Sequence, residues 1–176
     1  MVTGETNKNY LNPKVRIIDS SIHGHGLQAI ESINRKEIIL IWRNGYTNHS
    51  GAVAALNLGK RVMQWDDDVY SFETDTTDES YSINHSCDPN TWIKDAFTVI
   101  ARRLICAGEE ITIDYGLFIN DPDYVASWPC RCGATDCRRR VTGQDWKNPC
   151  LQERYADHFS PYINKLISFL VSNRHS

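Results

Sequence analysis

Three cysteines within eight residues, Cys130, Cys132 and Cys137, are the densest concentration of chemistry in the sequence. The spacing C-x-C-x4-C lets three thiolates converge on one ion, and Gly133 between them permits the tight turn this needs. A structural zinc site takes four soft ligands in a tetrahedron, so one ligand is missing locally. Cys87, Cys106, Cys150 and the histidines are the candidates. Cys87 lies in a polar turn and suits the role better than Cys106, which lies in an apolar stretch and is expected to pack in the core. Cys150 is close in sequence but falls at an expected helix start. A disulfide is the other reading. It is disfavoured because Met1 to Asn12 is polar and lacks the apolar centre of an export signal, so reduced thiols in a cytoplasmic setting are expected.

A second concentration is Asn84-His85-Ser86-Cys87-Asp88-Pro89-Asn90. Pro89 fixes its own φ and biases Asp88 away from the helical region, so the segment reads as a turn. It sits between Tyr81-Ser82-Ile83 and Thr91-Trp92-Ile93, which both read as strand-like. Alone, it is most simply a capped surface turn. Tyr115, at the end of Ile111-Thr112-Ile113-Asp114-Tyr115, is alone most simply an aromatic at a core edge.

The elements that must position these residues are short. Strand patterns run over Lys14 to Asp19, Leu27 to Ile30, Glu37 to Trp42, Val69 to Glu73, Phe97 to Ala101 and Ile111 to Tyr115, with a short helix over Ala52 to Val62. Six to eight short strands without strand–helix alternation give a mostly β fold with short helices. The Gly24-His25-Gly26 pair precedes a strand and no helix, which excludes a dinucleotide-binding turn. Asp66-Asp67-Asp68 reads as a solvated turn, or as an attractor for a basic peptide if it lies near a binding site. Ser160-Pro161 caps a C-terminal helix whose Tyr162, Ile163, Leu166, Ile167, Leu170 and Val171 recur at helical spacing. That helix is expected to pack on the β core rather than on a membrane or partner.

The 176 residues carry a formal net charge of -3 with 23% charged and 41% hydrophobic residues. Nothing here calls for nucleic-acid or membrane-surface binding, and no apolar run approaches the roughly 20 residues of a membrane span.

Taken together, these blocks resemble the SET-domain protein lysine methyltransferases. Gly24-His25-Gly26-Leu27, Tyr70-Ser71-Phe72, Asn84 to Asn90, and Gly108 to Gly116 match the family's blocks in order. Cys130, Cys132 and Cys137 match its post-SET zinc module. The resemblance implies a β fold in which two late segments thread as a pseudoknot. It implies S-adenosylmethionine and a protein or peptide lysine on opposite sides of a narrow channel. Gly24, His25, Gly26, Leu27, Asn84, His85 and Trp128 would hold the cofactor. Tyr115 would be the catalytic tyrosine, with Tyr70 lining the lysine channel, and Cys87 would be the fourth zinc ligand. The implied organisation is a tail over 1–12, a catalytic domain over 13–118, a zinc module over 119–147 and a helical extension over 148–176. Three positions depart from the family pattern: Tyr81-Ser82 stand where Arg-Phe is common, and Ile113 stands where an aromatic is usual. The smaller Ile113 is expected to leave room for a methylated amine, so more than one methyl is expected. The competing readings are a SET-like binding module without turnover, and a methyltransferase for a peptide or small-molecule amine.

Overall fold

Short apolar runs broken by glycine, Asx and acidic turns give short strands. The structure, a computed structural model, describes residues 8–43, 45–72 and 78–173. Most of the expected tail, and Glu73 of the expected strand, lie outside the described residues. In chain order the elements are β1 (Tyr10–Leu11), β2 (Val15–Asp19), β3 (His25–Ala29), β4 (Ile38–Ile41), β5 (Tyr46–Thr47), α1 (His49–Asn57), β6 (Val62–Asp66), β7 (Val69–Phe72), β8 (Asn84–His85), β9 (Thr91–Ile93), β10 (Thr98–Ala101), β11 (Glu110–Ile113), α2 (Pro149–Arg154) and α3 (Pro161–Ser172). The fold is mostly β with short helices, as expected. No helix among the described residues is long and apolar enough to cross a membrane.

Three small sheets result, ordered β1-β4-β10-β9, β2-β3-β11-β8 and β5-β7-β6. The pairings are antiparallel except between β8 and β11, where Asn84 faces Thr112 and His85 faces Ile113 in parallel. This pairing interleaves two late segments. Asn90 locks it, donating from Nδ2 to the Glu110 carbonyl at 2.8 Å and accepting from the Thr112 N–H at 2.9 Å. Asn90 is buried, so both polar ends of its amide must find partners, and the backbone of β11 supplies them.

One core joins all three sheets to the C-terminal helices. Leu27, Leu40, Val99, Ile111 and Ile113 are fully buried in it, and so are Tyr155 and Ile163. The Ser160 hydroxyl caps α3 as expected, and Leu166, Ile167 and Leu170 pack on the core. Val171 does not, because it lies at the exposed end of the helix.

Several local expectations are corrected. Helix α1 starts earlier, at His49, because the Asn48 side chain caps it by accepting from the Gly51 N–H at 3.1 Å. Val62 belongs to β6 instead. Glu79–Tyr81 form a 3-10 turn capped by Asp78 rather than a strand edge. Cys106 is exposed, not in the core. The acidic run is a hairpin turn whose charges are engaged: Asp66 and Asp67 each lie 2.7 Å from Lys165 of α3, and Asp68 accepts from the His49 N–H at 2.8 Å.

A charged cluster sits inside this core. The Asp114 carboxylate is fully buried. It takes a bidentate pair from Arg138 at 2.7 and 2.6 Å, the Tyr155 hydroxyl at 3.1 Å and the Gly116 N–H at 2.9 Å. Arg138 also reaches Asp145 at 3.0 Å. Burial disfavours the Arg138 charge, but the carboxylates more than offset this and hold its pKa well above the ordinary value. Arg138→Leu would leave Asp114 buried without its cation. We expect a loss of about 3–5 kcal/mol in urea unfolding, with Arg138→Lys recovering part of it.

Candidate active site and metal centre

The Sγ atoms of Cys87, Cys130, Cys132 and Cys137 all lie within 4.8 Å of one another. The spacing argument left the fourth member open, and the fold selects Cys87. The Cys87–Cys130 sulfur separation is 3.9 Å, against an edge of about 3.8 Å for a tetrahedron with Zn–S near 2.3 Å. None of the six cysteines is disulfide-bonded. Gly133, at φ +74°, makes the left-handed turn between Cys132 and Cys137. Backbone N–H groups point at the sulfurs: Cys87 N–H at Cys132, Arg138 N–H at Cys87 and Arg139 N–H at Cys137, each at 3.4 Å. Burial pushes the Cys87 thiol up and the Cys130 thiol to about 11. At Cys132 burial acts the same way, but backbone donors from Cys87 and Ala134 outweigh it and bring the thiol to about 7. Such a donor set fits a divalent cation, which holds coordinating thiols deprotonated outright.

His85 joins this cluster to Tyr115. The Tyr115 N–H donates to His85 Nδ1 at 3.2 Å, so Nδ1 carries no proton. The proton of the neutral ring is therefore on Nε2, which lies 3.3 Å from the Cys87 sulfur. Burial lowers the His85 pKa to about 4, against the opposing pull of Asp114, and keeps the ring neutral. Both ring nitrogens are thus used inside the protein.

Tyr115 stands between two cavities. One, of about 450 Å³, is walled by His23, Asn84, His85, Trp128 and Arg131 together with the Tyr115 ring. Its rings cluster: Trp128 lies 6.4 Å from His23, 6.3 Å from His85 and 6.4 Å from Tyr115. The other, of about 160 Å³, is an aromatic chamber walled by Trp42, Tyr46, Trp65, Tyr81, Phe118 and again Tyr115. The Tyr115 hydroxyl donates to the Ile83 carbonyl at 2.9 Å, and burial raises its pKa to about 12, so it remains a neutral O–H.

The expected site residues divide. Asn84, His85, Trp128 and Tyr115 meet at the larger cavity, and the four cysteines meet beside it. The Gly24 to Leu27 block does not form its wall. From that loop Ile22 and His23 do. Leu27 is fully buried in the core and His25 is exposed beside Asp19. Gly26 packs closely, since a Cβ there would come 2.5 Å from the Glu110 carboxylate, which would have to shift. Tyr70 is also displaced from its expected place. Alternation along β7 turns Ser71 toward the chamber, while Tyr70 faces His49 at 5.9 Å. The aromatic chamber was not visible in the sequence, because its walls come from the residue after β4, from β5, β6 and β7, and from the turns around Tyr81 and Tyr115. Only the aromatic content of those stretches hints at it.

Asn84 works through the loop. Its Nδ2 lies 3.1 Å from the His23 carbonyl, 3.0 Å from the His25 carbonyl and 2.9 Å from Glu110 Oε1. Glu110 Oε1 also accepts from the Ser20 hydroxyl at 2.7 Å. Asn84→Ala would strand these acceptors. We expect a loss of about 1–3 kcal/mol and faster amide exchange across residues 20–26, read by hydrogen-exchange mass spectrometry.

Comparison with known proteins agrees with this geometry. The profile of the SET domain matches residues 24–116, more than half of the chain. A Candida albicans histone-lysine N-methyltransferase, H3 lysine-36 specific, is 26% identical over 74% of this chain and 17% of its own length. Human histone-lysine N-methyltransferase 2B is 32% identical over 71% of this chain and 5% of its own. Arabidopsis thaliana histone-lysine N-methyltransferase ASHH3 is 30% identical over 73% and 38%. The chain spans well under half the length of each of these relatives. Through the matched block and the site built on it, the chain belongs to the SET-domain family.

Proposed function

We propose that this chain is a protein-lysine N-methyltransferase that uses S-adenosylmethionine and carries a structural zinc ion. The observation that supports this best is the shared wall. Tyr115, its hydroxyl neutral, lines both a cavity of about 450 Å³, inside the size range of small-molecule sites, and a smaller aromatic chamber. The activities for which these relatives are named agree with it.

When bound, S-adenosylmethionine supplies an electrophilic methyl group on a sulfonium. Trp128 and His23 would take its flat, apolar parts, with Asn84 holding the loop that carries His23. The chamber's residues handle the lysine. A free lysine has a pKa near about 10.4, and only its neutral form has a lone pair for attack. Apolar ring walls disfavour the ammonium and promote loss of its proton to water before the chamber closes on it. No chamber wall residue is acidic among those described, so no fixed base takes part. The Tyr115 O–H, anchored on the Ile83 carbonyl, orients the amine at the shared wall. Zinc on Cys87, Cys130, Cys132 and Cys137 would fix the loop that supplies Trp128. A cytoplasmic setting, where thiols stay reduced, suits these ligands.

Ile113 is fully buried in the core. Its aliphatic side chain brings no hydroxyl to the amine, which suits addition of more than one methyl. Two measurements test the whole reading. With a lysine peptide and excess cofactor, mass spectrometry should find product carrying two or more methyls. Tyr115→Phe should lower kcat by about 10²-fold or more while calorimetric cofactor affinity stays within about threefold. Cofactor binding without any transfer would assign a binding module instead, and transfer confined to small amines would move the substrate class.

The metal is tested separately. Metal analysis should give about one zinc per chain, lost in Cys87→Ser. Chelation should lower both the melting temperature and cofactor affinity, because Cys87 and His85 tie the cluster to the larger cavity. Undiminished affinity in the zinc-free protein would break that link.

A further inference from the structure

Next to the aromatic chamber lies a groove of about 290 Å³, walled by Val62, Met63, Phe72, Tyr81, Ile119 and Tyr124. Met63, Ser71 and Tyr81 belong to both walls, so the two spaces adjoin. Consecutive residues are only about 3.8 Å apart at Cα, so a peptide whose lysine enters the chamber from this side would lay a side chain one or two positions away in or over the groove.

The charges around it do not favour basic neighbours. Lys60 lies over the Phe72 ring at 5.1 Å and Arg61 over the Tyr124 ring at 5.4 Å, which places two cations at the groove. Asp121 is the one acidic wall residue among those described. The acidic run that could have attracted a basic segment is engaged instead with Lys165 and the start of α1. Among the described residues the groove is therefore mostly apolar, with Asp121 its one carboxylate.

Resting on the methyltransferase reading above, we propose that the substrate is a lysine with a large apolar side chain, such as leucine, methionine or phenylalanine, within two residues of it. The groove buries that side chain, and recognition is apolar rather than electrostatic.

The test uses the full chain and fluorescent peptides in which a target lysine is flanked by Leu, Phe, Ala, Lys or Glu, with binding read by anisotropy. Leu- and Phe-flanked peptides should bind about tenfold more tightly than the Ala-flanked one, the scale of burying one large side chain. That advantage should change by less than about twofold between low and high salt. Phe72→Ala, and independently Val62→Asp at the same wall, should abolish the preference while cofactor affinity is retained. Equal binding of all peptides, a Lys-flanked preference that salt removes, or no binding of any peptide would each overturn the proposal. Anisotropy requires no turnover, so failure of catalysis remains distinguishable. An apolar preference without methyl transfer would keep the groove and remove the enzymatic reading.

Discussion

A buried carboxylate must be answered by charge and hydrogen bonds, and much of this fold is arranged around answering Asp114. Its partners come from three parts of the chain: the Gly116 backbone beside it, Arg138 from the cysteine loop and Tyr155 from the end of α2. Asp114 is covalently next to Tyr115, so whatever holds the carboxylate also holds the turn that presents the tyrosine. His85 grips the same turn from the other side through the Tyr115 N–H. In a low-dielectric interior such a network is costly when incomplete and rigid when complete. Here each partner of Asp114 is in place.

The metal cluster enters through the same residues. Arg138 follows Cys137 directly, and its own N–H points at the Cys87 sulfur. One residue thus serves the cysteine cluster with its backbone and Asp114 with its side chain. Arg154 of α2 adds a further tie, donating to the Cys87 carbonyl at 2.9 Å. The cysteine loop, the C-terminal helices and the Tyr115 turn are therefore one mechanical unit, even though the family profile ends at residue 116.

Much of this was legible in the sequence where the determinants are local. The cysteine spacing reads directly because a metal imposes short separations along a loop. The helix cap at Ser160 reads because capping is a local exchange of hydrogen bonds. The ordered blocks carried the family. What failed to read was facing and partnership. Tyr70 looked like a channel residue by its place in a block, but the β6–β7 pairing, with its irregularity between Gln64 and Asp66, turns Ser71 inward instead. In the Gly24 to Leu27 block, Gly26 packs beside Glu110 and Leu27 in the core, while Ile22 and His23 just before it wall the larger cavity. Trp42, Trp65 and Phe118 are far apart in sequence and meet only in the fold. The acidic run gave no sign of Lys165, its partner 99 residues from Asp66.

The bond from Tyr155 to Asp114 joins positions 41 residues apart, and the core that buries both extends to Ile163. A chain is made from its N-terminus, so the Tyr115 turn leaves the ribosome well before the residues that answer Asp114. Until those residues emerge, folding of the interleaved segments around β8 and β11 would bury Asp114 without its partners. Completion of the site is thereby tied to completion of the C-terminal helices, and the Tyr115 turn waits for Arg138 and Tyr155 before it is held in place.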